Sequence, residues 1–327
     1  MNKDIWVYIE QVEGKIASVS LELLSEAHRL QAQRTTPGKV VAVLIGSDVE
    51  KLIPTLEDYG SENIYLADGE KLKFYQPDYY ASIFEKLIKE NDPDILLVGS
   101  TAIGSQLAPT IALKVTTGVA AHSMQLKINE DDELVAVVPA FGGKVLGDIL
   151  CPKHRPQMAS IKPGILDKAE KRPVKAEVIK VDLSFLEEVK ATLKPISITK
   201  EEPKGVPLEE AEIVICGGWG IGDEETWAIL EKIADKLGGA VASTRPPVDE
   251  GWVPGEHVMI GTSGKSVRPK VYLGFGISGA THHICGMKDA GVIISINKDE
   301  NAEIFNVSDY GVVGDVKKIL PLLEEAL

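Results

Sequence analysis

Short apolar runs alternate with amphipathic helical segments along most of the chain, and this alternation is the strongest constraint on its fold. The apolar runs include IWVYIE, VVAVLIGS and DILLVGS in the first half, and EIVICGG, KVYLGFG and GVIISIN in the second. Continuous Val, Ile and Leu runs are typical of strands buried on both faces of a parallel sheet. Segments such as SLELLSEAHRLQAQR and DEETWAILEKIADKLG have the apolar spacing of helices that cover such a sheet. The sequence therefore predicts an α/β fold with two doubly wound parallel sheets.

A segment rich in Lys, Glu and Pro interrupts this alternation between residues 167 and 207. It contains DKAEKRPVKAEV and TKEEPKGVP, with one strand-like run, VIKVDL, between them. Such a composition is typical of a connection between domains. We place the boundary near residue 200. This gives a first α/β domain over residues 1–200 and a second over residues 201–327.

The composition excludes several functional classes. A formal net charge of -14 argues against nucleic-acid binding, which needs a basic face. Cys151, Cys216 and Cys285 are far apart, which disfavours a disulfide framework, a zinc ribbon or an iron–sulfur cluster, and we predict no metal site. No apolar run reaches membrane-spanning length and no signal peptide opens the chain. We therefore expect a cytoplasmic protein with no direct membrane insertion.

The stretch GFGISGATHH carries the glycine pattern G-x-G-x-x-G at Gly274, Gly276 and Gly279. It follows a predicted strand and opens a predicted helix, SGATHHICGMK. In dinucleotide-binding proteins these glycines let the backbone approach a pyrophosphate at a helix N-terminus. Asp299 follows the next strand, about where a ribose-binding acid would lie. A tight glycine turn without a ligand is the alternative interpretation.

The same stretch resembles a nucleophilic-serine turn, G-x-S-x-G, but Ala280 replaces the last glycine and no histidine follows His283. Hydrolases with this turn place their acid and histidine after the serine, so Ser278 is not predicted to be a nucleophile. His282 and His283 are neighbours, and neighbours on a helix point about 100° apart. They cannot share a metal as an i, i+4 pair would. At most one of them faces a ligand at the turn.

Two longer segments of the second half are more specific than this turn. They are VYLGFGISGATHHICGMKDAGVIISINKDENAEIFNVSDYGVVGD and, upstream, STRPPVDEGWVPGEHVMIGTSGKSVRPK. Both resemble segments of the electron-transfer flavoprotein α subunit, the family that includes the FixB proteins. In the first half, LLVGSTAIGSQLAPTIALKVTTG and RPQMASIKPG also resemble their family counterparts. The likeness covers nearly the whole chain.

This resemblance implies a subunit of a heterodimer that carries electrons and is not an enzyme acting alone. The second domain would be a Rossmann-like FAD-binding domain, and the first would pack on the β subunit. That β subunit would hold AMP in simple members of the family, or a second FAD in electron-bifurcating ones. The electrons would come from donor dehydrogenases such as acyl-CoA dehydrogenases and pass to a quinone reductase or another acceptor oxidoreductase.

The resemblance also implies flavin-binding roles for individual positions. Arg245, preceded by Thr244, matches the arginine beside the isoalloxazine ring, and Ser263 matches the hydroxyl near flavin N5. His283 matches the histidine on the N1 and C2-carbonyl side. The other matched positions are Gly261 and Thr262 beside Ser263, Ser278, Gly279 and Ala280 in the turn, and Asn297 and Asp315 on the ADP half.

The chemistry of these residue types suits a flavin. A reduced flavin gathers negative charge around N1 and O2, so a cation or hydrogen-bond donor there raises its potential. Arg245 would stay charged even when partly buried, whereas the charge of His283 would respond to pH. The Ser263 hydroxyl could donate or accept as flavin N5 changes protonation.

Three positions depart from the family pattern. Trp219, in CGGWGIG, stands where an arginine is usual, and an indole can stack on a ring but cannot neutralise a phosphate. Thr262 and His282 each replace a glutamine. Two other functions therefore stay open. One is an NAD-dependent oxidoreductase that uses the glycine turn and Asp299; the other is a non-redox nucleotide-binding adaptor that has lost flavin binding.

Overall fold

The apolar runs of each half of the chain assemble into a parallel sheet. The computed structural model describes residues 2–140, 145–167, 169–196, 206–253 and 255–327. The chain divides into two compact units, Met1–Ala140 with Leu146–Thr199, and Lys200–Leu327 with Phe141–Val145. The boundary predicted near residue 200 lies outside the described residues and stays a prediction.

The first half of the chain contains twelve described strands and four α-helices. The strands are β1 (Ile5–Ile9), β2 (Gln11–Val12), β3 (Lys15–Ile16), β4 (Val40–Gly46), β5 (Asn63–Asp68), β6 (Ile95–Gly99), β7 (Val119–Ser123), β8 (Gln125–Ile128), β9 (Leu134–Ala140), β10 (Val145–Leu150), β11 (Gln157–Ile161) and β12 (Glu177–Lys180). The helices are α1 (Ser18–Gln31), α2 (Ile53–Asp58), α3 (Pro77–Asn91) and α4 (Ala102–Lys114).

Seven of these strands form a sheet in the order β12-β5-β4-β1-β6-β11-β7, with parallel neighbours. Alternate residues of β1 show how both faces are covered. Ile5 packs into a core shared with α1, whereas Trp6 packs into a second core shared with α3 and α4. A smaller sheet has the order β10-β9-β8, and β2 pairs with β3 as an antiparallel hairpin.

The second unit repeats this architecture. Its elements are β13 (Ile213–Gly217), α5 (Glu224–Leu237), β14 (Ala240–Ser243), α6 (Arg245–Asp249), β15 (Val271–Phe275), α7 (Thr281–Ile284), β16 (Val292–Asn297), β17 (Tyr310–Val313) and α8 (Val316–Ala326). The sheet order is β14-β13-β15-β16-β17, with parallel neighbours throughout. Ile215 and Cys216 of β13 enter separate cores on opposite faces. The predicted α/β fold with two doubly wound parallel sheets is confirmed.

Two predicted helices differ in detail. The helix predicted over SGATHHICGMK is shorter than expected and forms only α7. Gly279 and Gly286 flank it. Gly286 packs closely against the loop that contains Gly261, because a Cβ added to Gly286 would lie 2.7 Å from the Gly261 nitrogen. The residues GDVKKILPLLEEAL predict a C-terminal helix interrupted at Pro321, but α8 continues through the proline. Burial of Val316 and Leu320 against α5 anchors that helix on the side that faces the protein. No helix in the described part of the chain is long and apolar enough to cross a membrane.

A fully buried carboxylate, Asp94, joins separate segments at the start of β6. Arg34, whose side chain is also fully buried, donates to Asp94 Oδ2, and Arg155 Nε lies 2.5 Å from Oδ1 as an ion pair. Lys3 adds a third positive charge at 3.7 Å. A buried charge is tolerated only when it is paired, so Asp94 and its arginines depend on one another.

Replacing Asp94 by asparagine should therefore destabilise the first unit. The Asp94→Asn change leaves the Arg34 guanidinium buried without a counter-charge, and we expect the free energy of unfolding to fall by about 3–5 kcal/mol. Urea denaturation followed by circular dichroism measures this loss. The matched control is Asp48→Asn, since Asp48 is exposed, pairs with Lys51 on the surface and has a positive φ that asparagine tolerates. The control should change stability by about 0.5 kcal/mol or less; equal losses in the two variants would contradict the assignment.

Candidate functional site

Most of the predicted flavin residues lie in loops that follow strands of the second sheet at its carboxyl edge. Thr244 and Arg245 follow β14, Trp219 follows β13, and residues 276–283 follow β15. Asn297 ends β16, and Asp315 follows β17. Because the chain runs from β13 to β14 on one side and returns to β15 on the other, the connection reverses between β13 and β15. Ligands of doubly wound sheets bind at such a reversal.

At this reversal the loops after β13 and β15 are in direct main-chain contact. Gly218 N donates to Phe275 O at 2.8 Å, and Gly220 N donates to Gly276 O at 3.0 Å. A Cβ on Gly276 would lie 2.6 Å from the Gly220 Cα, and the φ of Gly276 is +64°. Only glycine fits this contact.

Gly279 has a similar role on the other side of the turn. Its φ is +90°, and an added Cβ would lie 2.0 Å from the Ile304 nitrogen. The glycines of the G-x-G-x-x-G pattern therefore accommodate the protein's own backbone. The helix that follows, α7, has four residues, which is not the long helix that the dinucleotide fingerprint requires. The helix-dipole part of that interpretation is wrong.

The turn between Gly276 and α7 has unused donors. Within the described part of the chain, the main-chain N–H groups of residues 277–280 donate to no protein acceptor. Ser278 and Ala280 are exposed, and Ile277 and Gly279 are buried. A run of unpaired backbone donors beside the surface is suited to a ligand that presents several acceptor atoms.

The loop of residues 259–265 is fixed against α7. Thr262 N donates to His282 O at 2.8 Å, and Gly261, at φ +145°, leaves no room for a Cβ beside that same carbonyl. Ile260 N donates to Ser243 O at 2.9 Å, which ties the loop to β14. The structure thus brings Gly261, Thr262 and the exposed Ser263 close to α7, and their flavin contacts stay predictions.

Arg245 is the first residue of α6, directly after its N-cap Thr244. Thr244 N donates to Gly217 O at 3.0 Å, so this corner is fixed to the end of β13. The Arg245 Nε lies 2.8 Å from Asp249 Oδ1, and the arginine side chain is 56 % exposed. Its guanidinium is therefore held in place and remains accessible. Trp219, which stands in the position of the usual arginine, is 66 % exposed.

His283 points into the protein. The side chain is 5 % exposed, its Nε2 lies 2.7 Å from the Tyr272 hydroxyl, and its Nδ1 lies 3.1 Å from Ile260 O. Burial lowers the pKa of His283 to about 4, against a smaller opposing effect of the Ile260 carbonyl. The imidazole is therefore neutral at pH 7 in this structure, and both nitrogens have protein partners. The flavin contact predicted for His283 stays a prediction. His282 is exposed.

The two residues predicted at the ADP half have structural partners. Asn297 Nδ2 donates to Ile277 O at 2.7 Å, and its Oδ1 accepts from Asp299 N at 3.0 Å. Asp315 caps α8 by accepting from Lys317 N at 3.1 Å. Neither bond tests a flavin contact, so these two roles stay predictions.

Sequence reasoning missed Tyr272, which is fully buried in β15 and contacts His283. The sequence feature that could have revealed it is a tyrosine inside the strand-like run VYLGF. A buried phenol needs a hydrogen-bond partner, so a polar side chain is expected beside it. Sequence reasoning also missed Asp223, which caps α5 through Thr226 N at 2.8 Å and pairs with Lys317 of α8.

Comparison with known proteins places this geometry in a family. An electron transfer flavoprotein domain matches residues 5–186, and an electron transfer flavoprotein FAD-binding domain matches residues 207–288. The chain is 42 % identical over 326 residues to the electron transfer flavoprotein subunit alpha of Thermoanaerobacterium thermosaccharolyticum, covering 99 % of this chain and 98 % of that relative. The chain belongs to the electron transfer flavoprotein α-subunit family.

Other members of the family are similar over their whole length. Protein FixB of Clostridium saccharobutylicum is 40 % identical, covering 98 % of this chain and 95 % of the relative. The acryloyl-CoA reductase electron transfer subunit beta of Anaerotignum propionicum is 37 % identical, covering 99 % and 95 %. The family resemblance inferred from the sequence segments is confirmed.

Adding one methyl group at Gly279 should disrupt the turn. The Gly279→Ala change places a Cβ against the Ile304 backbone at a strained φ, and we expect a loss of about 3 kcal/mol in the free energy of unfolding. The control is Gly238→Ala, because Gly238 also has a positive φ, +63°, but no atom lies within 4 Å of an added Cβ. The control should cost about 1 kcal/mol. Chemical denaturation measures the free energy of unfolding of both variants. If Gly279→Ala loses no more stability than Gly238→Ala, the turn can move to accept a Cβ and the prediction is wrong.

The stability of the second unit should fall as the pH drops below about 6.5. An unfolded chain protonates His283 near that pH, whereas the folded unit resists protonation down to about pH 4. The unfolded state therefore binds more protons in this window, and folding loses roughly 3 kcal/mol across it, with no further loss from this group below it. An NMR titration of the histidine ring signals measures the pKa of His283. The His282→Gln variant is the control, and its stability should fall with pH as that of the wild type does. Titration of His283 near pH 6.5 would contradict the prediction.

Proposed function

We propose that this chain is the α subunit of a heterodimeric electron-transfer flavoprotein and binds FAD at the carboxyl edge of its second sheet. Bound FAD would supply reversible uptake and release of electrons. The protein would accept electrons from donor dehydrogenases and pass them to an acceptor oxidoreductase. Its own residues would bind, orient and electrostatically tune the flavin.

The unpaired backbone donors of residues 277–280 carry this proposal. They lie at the reversal between β13 and β15 and inside the segment that matches the FAD-binding family. The flavin ring edge and the FAD pyrophosphate both present several hydrogen-bond acceptors. Backbone donors that need no rearrangement bind such atoms at little entropic cost.

Two exposed side chains of the second unit have chemistry that suits a flavin. Ser263 is exposed in the loop fixed to α7, and its hydroxyl would be available to flavin N5. Arg245, held by Asp249, supplies a permanent positive charge. We infer that this charge, and not the His283 imidazole, raises the potential of the flavin, because burial keeps that imidazole neutral.

The partners follow from the family. The relative from Anaerotignum propionicum is named as the electron transfer subunit of a reductase, so we infer that this chain also works within a larger redox complex. Its first unit would pack on a β subunit that holds AMP or a second FAD. Acyl-CoA dehydrogenases are the donor class we propose.

Co-production with a β subunit tests the assignment directly. We expect a yellow complex in which each α subunit contains one FAD, with either AMP or a second FAD in the β subunit. Absorbance spectra and chromatography of the released nucleotides measure this content. A colourless complex that FAD cannot reconstitute would exclude the function, and NAD reduction by the isolated chain would favour a dehydrogenase.

Removing the Arg245 charge should make the bound flavin harder to reduce. For Arg245→Ala we expect the two-electron midpoint potential to fall by about 30 mV, which corresponds to about 1.4 kcal/mol. Spectroelectrochemical titration of the complex measures the potential. Arg172→Ala is the matched control, since Arg172 is an exposed arginine of the first unit and should leave the potential unchanged. A potential unaffected by Arg245→Ala would exclude Arg245 as the tuning charge.

A further inference from the structure

An ion pair joins two loops at the carboxyl edge of the second sheet. Asp223 follows β13 and caps α5, where its Oδ1 accepts from Thr226 N at 2.8 Å. Its Oδ2 accepts from the ε-ammonium of Lys317, the second residue of α8, which follows β17. In the sheet order β14-β13-β15-β16-β17, these two strands are not neighbours. The pair therefore connects loops whose strands do not pair with one another.

The side chain of Lys317 crosses the end of the loop after β13. A Cβ added to Gly222 would lie 2.9 Å from Lys317 Cε and 3.2 Å from Nζ, and the φ of Gly222 is +88°. Glycine at this position thus lets the loop turn and leaves space for the lysine. Burial of Val316 and Leu320 against α5 fixes the start of α8, so the lysine reaches Asp223 from an anchored helix.

Both loops border the turn of residues 277–280, whose backbone donors carry the proposed flavin site. The loop after β13 contacts this turn through Gly220 N, which donates to Gly276 O at 3.0 Å. The loop after β17 is fixed through Gly314 N, which donates to Asn297 O at 3.0 Å. The Asn297 side chain in turn donates to the carbonyl of the first residue of the turn. A ligand held by the turn would therefore lie in the field of the charges on these two loops.

The loop after β13 carries a negative charge and no positive one. Residues 218–223 contain Asp223 but no Lys or Arg. The bond from Lys317, followed by the bonds from Thr226, holds the pKa of the Asp223 carboxyl well below its ordinary value, so Asp223 is ionised at neutral pH. FAD is negatively charged at its pyrophosphate, and an uncompensated carboxylate in this loop would repel it.

We propose that Lys317 is a positioning residue of the flavin site, which holds and neutralises Asp223 so that the turn of residues 277–280 can accept the anionic pyrophosphate of FAD. The inference rests on the proposed function. Lys317 acts through Asp223 and does not contact the cofactor in this scheme.

The first test compares two lysines of the same helix. In the complex with the β subunit, we expect Lys317→Met to weaken FAD binding about tenfold, because the charge of Asp223 is then uncompensated. Lys318→Met is the matched control, since Lys318 is the next residue, is exposed and carries the same charge. The control should change the affinity by about twofold or less. Calorimetric titration of the FAD-free complexes with FAD measures both affinities, and equal losses in the two variants would overturn the inference.

The second test separates neutralisation of a charge from a structural link between the loops. In Asp223→Asn the side chain can still cap α5, but the loop after β13 has lost its negative charge. A double variant with Lys317→Met and Asp223→Asn should therefore bind FAD within about twofold of the wild type, although the ion pair is gone. If the double variant binds FAD as weakly as Lys317→Met alone, the pair only links the loops and the inference is wrong.

The third test uses salt. The loss of affinity in Lys317→Met should shrink from about tenfold at low salt to about twofold in 1 M NaCl, because ions screen the repulsion. A loss that does not depend on salt would contradict the inference. If the wild-type complex binds FAD and Lys317→Met binds it equally well, the inference alone fails. If the wild-type complex binds no FAD, the proposed function fails as well.

Discussion

The contact between the glycine main chains at the ends of β13 and β15 is the constraint on which the second unit depends. Gly220 and Gly276 approach so closely that a single Cβ would separate the loops. Their contact sets the path of the chain after β15, and Gly279 continues that path against Ile304. The turn that results leaves backbone donors without protein partners beside the surface. The proposed flavin site is thus a consequence of backbone packing more than of particular side chains.

Each unit buries a titratable side chain, but the two side chains avoid an unpaired buried charge in different ways. In the first, Asp94 keeps its charge in the interior because Arg34 and Arg155 surround it. In the second, His283 is instead neutral, with both nitrogens hydrogen bonded. The difference follows from the cost of burying an unpaired charge, which a histidine avoids by losing its proton. This is why we propose that the fixed charge near the flavin belongs to the exposed Arg245.

Much of this molecule was predictable from the sequence. The continuous apolar runs predicted both parallel sheets, because strands buried on two faces leave no room for polar alternation. The long motif segments predicted the family. Less predictable was the direction of individual side chains. His283 matched a flavin-contacting histidine, yet its ring is directed inward by Tyr272, a partner from another element.

The sequence by itself determined the α/β class, the family and the placement of glycines where the backbone needs them, since these depend on local pattern and residue type. The tertiary structure decided which atoms those glycines contact, how short α7 is, and which side chains remain accessible. These contacts, the length of α7 and the accessibility of side chains depend on segments that are distant in sequence. Residues 260, 272 and 283, for example, are hydrogen bonded to one another only in the folded chain. The tertiary structure also decided the pKa of His283, because only the folded chain buries this side chain.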